Sequence, residues 1–346
     1  MKLESVYPYT YVRVTTMKAK LLKKEDYDKL LKMSFAEISR YLQESEYKQD
    51  INQFALDLKG ADLLEAALNN NLITTFNKLK RISPDELDLL IDAYVKRYDY
   101  FNIKTIIRGR FAKLENEKIK SMLKPLGNVS LHRKLCDEAS IENILLLSGM
   151  VEKKLIPAIM KEFSEKNNLM AIEEALDKSY FTYVFDFAET IPKQGELFKK
   201  FLLTEVDIVN IKALLRLKKE KATEKEVEQH IYMFGSEIST RKIKNMVTMD
   251  YESLLREIQK TSFKNIIKKH IPTLTSKGSL TEFENDLNKH LLKKTSLMLH
   301  QHPLTIDIIL GYMFAKEIEV MNLYSIIKGK QLEMGNEFIE KQLIIA

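Results

Sequence analysis

The sequence predicts an all-α protein, and three observations support this fold class. The 346 residues include only 10 Gly and 7 Pro, so strong turn signals are rare for so long a chain. No segment shows the sustained alternation of apolar and polar residues that a half-buried strand requires. A helical motif occurs three times, and a chain of this length needs more than one hydrophobic core. We therefore expect three homologous helical domains and essentially no β-sheet.

The repeated motif is a segment whose three copies begin at Asp99, Asp207 and Glu319. In each copy an Asn follows the acid after three residues, and cations follow that Asn after six and eight residues. The Asn positions are 108 and 112 residues apart. The surrounding positions are apolar, which is typical of a helix that is buried on most sides. We call the three acids and the three Asn residues the seam: Asp99, Asn102, Asp207, Asn210, Glu319 and Asn322.

The seam predicts a packing contact rather than a catalytic site. An acid and an Asn at positions i and i+3 are neighbours on a helix surface. A buried carboxylate and a buried amide destabilise the fold unless they are hydrogen-bonded. A catalytic role is not expected, because no nucleophile or His accompanies the pair. We expect each buried pair to be hydrogen-bonded by backbone groups of a neighbouring helix.

Flanking matches extend the repeat and set the domain boundaries. Leu64–Leu68 aligns with Ile172–Leu176 and with Phe283–Leu287, while Gly127 and Gly235 are 108 residues apart. This period is far longer than the about 20–50 residues of solenoid repeats, and it has the size of a domain. The predicted domains are residues 1–127, which hold a leader and the first repeat, residues 128–238 and residues 239–346.

The leader is expected to contain three helices. The first runs through Val14 to Leu22 with apolar residues on one face, and the second begins at Asp26. The third opens with a capping box, in which Ser34 is the N-cap and Glu37 follows three residues later.

Later helix boundaries are predicted from caps and prolines. Ser83 is a predicted N-cap with Pro84 in the first helical turn, and the helix that follows leads into the first seam. Pro157, Pro192 and Pro272 each follow an Ile and are expected to break later helices.

Several classes of protein are excluded by motifs that the sequence lacks. We find no glycine-rich phosphate loop, no dinucleotide-binding fingerprint and no paired Cys or His pattern for zinc. We therefore expect no enzyme activity, no cofactor and no small-molecule substrate. A metal site at His300, His302 and Asp307 is a minor alternative to a plain loop.

Charge and hydropathy indicate a cytoplasmic protein. The net charge of +6 is mild and both signs are mixed throughout, so nucleic acid is not an expected partner. The longest stretches without Asp, Glu, Lys or Arg have 12 residues, whereas a membrane-spanning helix needs about 20 apolar residues. The single Cys136 is compatible with a reducing compartment.

The cations that follow each seam have two interpretations. They fall near the C-terminal ends of the buried helices, where they would compensate the helix dipole and face solvent. Alternatively, they form a basic rim that faces a partner. The six cations are Arg108, Arg110, Arg216, Lys218, Lys328 and Lys330.

Several segments at both ends and in the centre of the chain match a known pattern. They are Tyr7-x-Tyr9-x-x-x-Arg13-Val14-x-x-Met17-Lys18-x-x-Leu21-Leu22, Tyr98-Asp99-x-x-Asn102-Ile103-Lys104-x-Ile106-x-Arg108-Gly109, His302-Pro303-Leu304-x-x-x-x-Ile309-Leu310-Gly311-Tyr312-x-x-Ala315-Lys316-Glu317-x-Glu319-Val320-x-Asn322-Leu323 and Lys328-Gly329-Lys330. Taken together, these segments resemble the central-stalk C subunit of archaeal and bacterial A/V-type ATPases, which is similar to the d subunit of the eukaryotic vacuolar enzymes. Three residues depart from that family's pattern: Tyr11 stands in place of Asn, Thr15 in place of Arg, and Leu217 in place of Gly.

The resemblance implies a funnel of three pseudo-symmetric helical domains. Such a protein seats on the cytoplasmic face of the membrane proteolipid ring, receives the tip of the central rotor shaft, and couples the two without catalysis. It is a peripheral protein of the cell membrane. Arg13 and Lys18 join the six repeated cations as candidate partner contacts. The alternative function is a helical scaffold that binds other proteins or an anionic membrane surface.

Overall fold

The computed structural model describes residues 7–276, 280–302 and 304–345, without the side chains of residues 296 and 298–301. Across these residues the chain forms twenty α-helices, a short 3-10 helix at Lys153–Leu155 and no strand. The all-α prediction is therefore confirmed. Pro303 and the side chain of His300, both named above, lie outside the described part.

The first half of the chain contains helices α1 to α10. They are α1 (Pro8–Lys18), α2 (Lys24–Leu30), α3 (Phe35–Gln43), α4 (Lys48–Phe54), α5 (Gly60–Ile82), α6 (Glu86–Val95), α7 (Arg97–Phe111), α8 (Asn116–Met122), α9 (Val129–Leu135) and α10 (Ile141–Ser148).

The second half contains helices α11 to α20. They are α11 (Ile156–Lys166), α12 (Met170–Glu189), α13 (Gln194–Lys219), α14 (Glu224–Gln229), α15 (Thr240–Thr248), α16 (Tyr251–Ile258), α17 (Lys264–Thr275), α18 (Thr281–Gln301), α19 (Ile306–Gln331) and α20 (Asn336–Gln342).

The chain divides into two compact units. The first unit comprises Met1–Ser83 and Lys200–Ala346, and the second comprises Pro84–Lys199. In the first unit, α19 packs against α1, α5, α18 and α20. In the second unit, α7 packs against α10 and α12, and α11 also packs against α12. The division into three homologous domains stays a prediction, because spatial compactness and sequence repetition are different properties.

One predicted helix start matches the structure. The Ser34 hydroxyl accepts the amide of Glu37, and the Glu37 carboxylate accepts the amide of Ser34, which completes the capping box of α3. Pro157, which the sequence predicts to break a helix, lies in the first turn of α11, where its missing N–H has no helical acceptor anyway.

Three predicted boundaries are wrong. Ser83 ends α5 rather than capping the next helix, because Asp85 adopts a φ of 48° and separates Pro84 from α6. α1 ends at Lys18, so Leu22 lies beyond it in a non-helical link. α17 continues through Pro272 to Thr275, since a proline this close to a helix end removes only one backbone hydrogen bond.

The seam lies on three buried helices: α7, α13 and α19. All six seam residues are between 0 and 4 % exposed. Most of α19 is buried, although it carries Lys316 and two acids among its buried side chains. The predicted burial of these helices on most sides therefore agrees with the structure.

A close helix contact follows two of the seams. A Cβ on Gly109 would lie 2.5 Å from Cγ1 of Ile119, and a Cβ on Gly329 would lie at the same distance from Cγ1 of Ile339. These glycines let α8 and α20 approach α7 and α19. In the middle copy Leu217 takes the glycine position, and the buried partner residue is the smaller Val227.

Candidate functional site

Each seam Asn forms the same clasp with the backbone. Its side-chain oxygen accepts the amide of the residue 22 positions later, and its Nδ2 donates to the carbonyl of that same residue. The donor–acceptor distances lie between 2.8 and 2.9 Å in all three copies. The pairs are Asn102 with Lys124, Asn210 with Tyr232, and Asn322 with Ile344.

The clasped backbone does not belong to a neighbouring helix, contrary to the expectation from the sequence. Lys124, Tyr232 and Ile344 lie in the segments that follow α8, α14 and α20. Inside a helix the N–H and C=O groups already bond each other, so the free groups are those just beyond a helix end. A buried Asn therefore finds its partners there.

The carboxylate of Asp99 is bonded from three directions. It accepts the amide of Asn128 at 2.6 Å, lies 2.8 Å from Nζ of Lys96 and lies 3.1 Å from Nε2 of the buried His132. Burial by itself raises the pKa of Asp99, but His132, Lys96 and the Asn128 amide outweigh it and lower the pKa. This seam acid is therefore held in its charged form.

Among the described residues, the carboxylate of Asp207 is bonded by backbone amides alone. It accepts the amides of Ser236, Glu237 and Ile238 at 2.7 to 3.3 Å. Burial is the largest influence and raises the pKa of Asp207, although the Glu237 and Ile238 amides oppose this. The first two seams thus have similar positions but opposite pKa shifts.

Gly127 and Gly235 are required by these carboxylates. An added Cβ at either glycine would collide with the Oδ1 atom of Asp99 or of Asp207. Gly127 also has a φ of 80°, which favours glycine. The glycines at the predicted domain boundaries therefore close the turn over the seam acids.

The third seam acid, Glu319, is bonded by residues from the start of the chain. Its carboxylate accepts the amide of Leu22 at 2.6 Å and the hydroxyl of Tyr47 at 2.7 Å. Lys316 Nζ lies 2.7 Å from the same carboxylate, 2.9 Å from the Tyr47 hydroxyl and 4.2 Å from the centre of its ring. Burial, followed by the charge of Glu319, raises the pKa of Tyr47. Both members of this buried ion pair therefore have hydrogen-bond partners in addition to each other.

The first cation after each seam pairs with a glutamate of another copy. The three glutamates occupy the second position of the aligned segments that begin at Leu64, Ile172 and Phe283. The first copy pairs with the second, the second with the third, and the third with the first. The pairs are Arg108 with Glu173, Arg216 with Glu284, and Lys328 with Glu65.

A second set of contacts follows the same cyclic order. In each copy, the residue two positions after the seam Asn contacts the copy that contains the paired glutamate. Its partner is the residue four positions after that glutamate, and in one copy also the backbone of the glutamate itself. The contacts are Lys104 with Asp177 at 2.5 Å, Lys212 with Asn288 at 2.9 Å, and Tyr324 with Asn69 and with the carbonyl of Glu65. The cycle is thus supported by two contacts per copy.

The remaining candidate cations have different surroundings. Arg110 donates to the carbonyl of Cys136, and Lys330 donates to the carbonyl of Leu31 at 2.8 Å. Lys218 is half-buried. The exposed Arg13 lies over the ring of Tyr9, and burial lowers the pKa of Lys18. Whether any of the eight cations contacts a partner stays a prediction.

The sequence contained a signal for some of the contacts described above but not for others. The roles of Glu65, Glu173 and Glu284 could have been found, since an acid at each aligned position matches a cation in another copy. Tyr47 and Leu22 gave no such signal, because they lie 272 and 297 residues from Glu319.

Within the described residues, no group of three His, Cys, Asp or Glu side chains could hold a metal ion. His302 lies 2.9 Å from Asp307, but the His300 side chain of that alternative is not described. In the same part of the chain, no helix combines the length and apolar character that a bilayer crossing requires.

Comparison with known proteins identifies similar chains. The family model for the ATP synthase (C/AC39) subunit matches residues 10–342. A protein of Methanococcoides burtonii is 36% identical over 346 residues, which cover 99% of this chain and 95% of the relative. A protein of Methanosarcina barkeri is 35% identical, covering 99% and 93%, and one of Haloferax volcanii is 29% identical, covering 97% of each. All three relatives are named as the C subunit of an A-type ATP synthase.

Proposed function

Since the chain belongs to the ATP synthase (C/AC39) subunit family, we propose that it is a non-catalytic spacer in the central stalk of the enzyme. In this role it connects the rotor shaft with the membrane proteolipid ring on the cytoplasmic face of the membrane. It binds no nucleotide and transmits rotation between its two neighbours.

One observation supports this proposal most directly: the contacts between the three copies follow a cycle. Arg108 joins the first copy to the second, Arg216 joins the second to the third, and Lys328 joins the third back to the first. A spacer that transmits torque must not yield between its parts. Each of these ion pairs lies within one compact unit and resists the separation of the two copies that it joins.

The seam clasps support the same role. Each Asn fixes a buried helix to the segment that follows the next helix, through two hydrogen bonds with short distances. Because each seam Asn is buried and its backbone partners are partly or fully buried, breaking a clasp leaves unsatisfied polar atoms. Such contacts resist small displacements of the helices under load.

Co-purification tests the proposal. The tagged chain is expressed with the other subunits of its own ATP synthase and recovered in mild detergent. The proposed role requires recovery of the proteolipid and rotor-shaft subunits. Recovery of unrelated proteins alone would favour the alternative, a helical scaffold.

A charge exchange tests whether Arg108 also contacts a partner. Arg108→Glu alone breaks the ion pair with Glu173, whereas Arg108→Glu with Glu173→Arg restores an ion pair of the opposite order. If Arg108 contacts the shaft or the ring, the double variant recovers the melting temperature of the wild type but not its partner binding. Recovery of both would show that this cation acts only within the chain.

A further inference from the structure

The solvent faces of α15 and α17, in the first unit, carry an excess of positive charge. We call five exposed cations the basic face: Arg241, Lys242, Lys244, Lys264 and Lys268. Residues 236–276, which include both helices, hold 8 Lys and Arg against 4 Asp and Glu.

None of these five cations forms an ion pair with a described carboxylate. Lys242 donates only to the backbone carbonyl of Glu237, at 3.3 Å. Neighbouring cations behave differently, since Lys260 pairs with Glu257 at 2.6 Å and Lys269 pairs with Asp286 at 2.5 Å. The charges of the basic face are therefore available to an external anion.

Glu237 brings the beginnings of the two helices together. Its carboxylate accepts the amide of Ser262 at 3.0 Å and the Ser262 hydroxyl at 2.8 Å, and it lies 2.9 Å from Nζ of Lys294. Burial raises the pKa of Glu237, but Lys294 and Ser262 outweigh this and bring the pKa to about 2. Because Glu237 shortly precedes α15 and Ser262 shortly precedes α17, these hydrogen bonds join the segments that lead into the two helices.

The positive excess is not a property of the repeat. The corresponding part of the second copy, residues 128–168, holds 6 Lys and Arg against 6 Asp and Glu. That stretch also forms three α-helices, α9 to α11, but without a net charge. Helix formation in this region therefore does not require the extra cations of the third copy, which indicates another role for them.

We propose that the basic face binds the anionic phospholipid head groups of a membrane surface. This proposal rests on the proposed function, which places the chain beside a membrane, and it adds a direct lipid contact. Lysines near an anionic bilayer are attracted without needing a shaped pocket.

An exposed apolar residue favours lipid over an acidic protein. Lys264, Lys268 and Ile271 follow one another at i, i+4 and i+7 on α17, so they lie on one stripe. The Ile271 side chain is 38% exposed. An exposed apolar side chain beside cations is a feature of helices that lie in a membrane interface.

Vesicle binding tests the proposal directly. The isolated chain is mixed with vesicles of phosphatidylcholine containing phosphatidylglycerol, or of phosphatidylcholine alone, and bound protein is measured by sedimentation. We expect binding to the anionic vesicles that weakens as salt increases. The variant Arg241→Glu/Lys244→Glu/Lys268→Glu should bind at least about 100-fold more weakly, since each cation near such a surface contributes about a fivefold effect.

A matched control has the same change in net charge. Lys118, Lys134 and Lys153 are exposed residues of the second unit, and all three are replaced by Glu. The proposal requires this variant to bind nearly as well as the wild type. Equal losses in both variants, or equal binding to neutral vesicles, would overturn it. Binding to soluble polyglutamate but not to vesicles would also overturn it, in favour of an acidic protein partner.

A fluorescent probe locates the contact. The chain contains no Trp, so Ile271→Trp introduces a single one. Its emission should shift to shorter wavelength with anionic vesicles, whereas a Trp at the exposed Leu147 of α10 (Leu147→Trp) should not shift. An unchanged Ile271→Trp spectrum in the presence of bound vesicles would contradict the assignment of this face.

The lipid contact and the proposed function fail in different experiments. If the triple variant loses vesicle binding but still co-purifies with the shaft and proteolipid subunits, both proposals stand. If the wild type co-purifies with those subunits but binds no vesicles, only the lipid contact is wrong.

Discussion

Arg108 and Glu173, which are 65 residues apart in the chain, form a two-point ion pair in the second unit. The Nε–Oε1 and Nη2–Oε2 distances are both 2.7 Å, so the guanidinium and the carboxylate lie fork to fork. This geometry adds specificity to a contact between the first and second copies. The pair also raises the pKa of Arg108, mainly through the hydrogen bond with Glu173.

The contribution of this pair to stability should be small but measurable. Arg108→Lys removes the fork while keeping the charge, and we expect a loss of about 0.5 kcal/mol because half of the Arg108 side chain is exposed. A double-mutant cycle with Glu173→Gln, followed by urea unfolding, measures the coupling. Additive effects of the two substitutions would mean that the pair does not stabilise the fold.

Removal of a seam Asn should be far more damaging. Asn210→Ala leaves the partly buried amide and carbonyl of Tyr232 without a partner, so we expect a loss of about 2 kcal/mol. Asn245→Ala on the exposed face of α15 is the control and should change stability by less than about 0.5 kcal/mol. Similar small effects in both variants, measured by urea unfolding, would contradict the clasp.

The buried pair of Lys316 and Glu319 should show strong non-additivity. Lys316→Met leaves Glu319 charged and without its cation, at an expected loss of about 3–5 kcal/mol. Adding Glu319→Gln removes the unpaired charge and should recover part of this loss. A double variant that is less stable than Lys316→Met, measured by thermal and urea unfolding, would argue against charge compensation at this seam.

The first two seam acids should respond to pH in opposite directions. The pKa of Asp99 is lowered, so its stabilisation is present above the unfolded pKa and is lost as the pH falls through the folded pKa. The pKa of Asp207 is raised, so its stabilisation is present below the unfolded pKa and is lost as the pH rises through the folded pKa.

This difference is measured with one Asn substitution at each seam. Between pH 3 and 6, the loss of unfolding free energy caused by Asp99→Asn should grow with rising pH. The loss caused by Asp207→Asn should shrink over the same range. Parallel pH dependence of the two variants would show that burial and hydrogen bonding do not set these pKa values as described.

The helical character of this chain could be predicted because it depends on local pattern. The capping box at Ser34 and the apolar flanks of the seam are read from residues only a few positions apart. The errors at Ser83 and Pro272 are also local, but they depend on backbone angles that sequence patterns specify weakly. The sequence likewise identified Asp99 and Asn102 as a buried polar pair, because burial and spacing follow from helix periodicity.

The repeat, the seam residues and their burial could therefore be derived from the sequence. The groups that bond the seam residues could be identified only in the folded protein. Once one clasp is known, the 22-residue spacing predicts the partner of Asn322. No such spacing predicts Leu22 and Tyr47, which contact Glu319 from the opposite end of the chain. The physical reason is that a hydrogen bond depends on distance in space, and folding brings together groups whose separation along the chain carries no information.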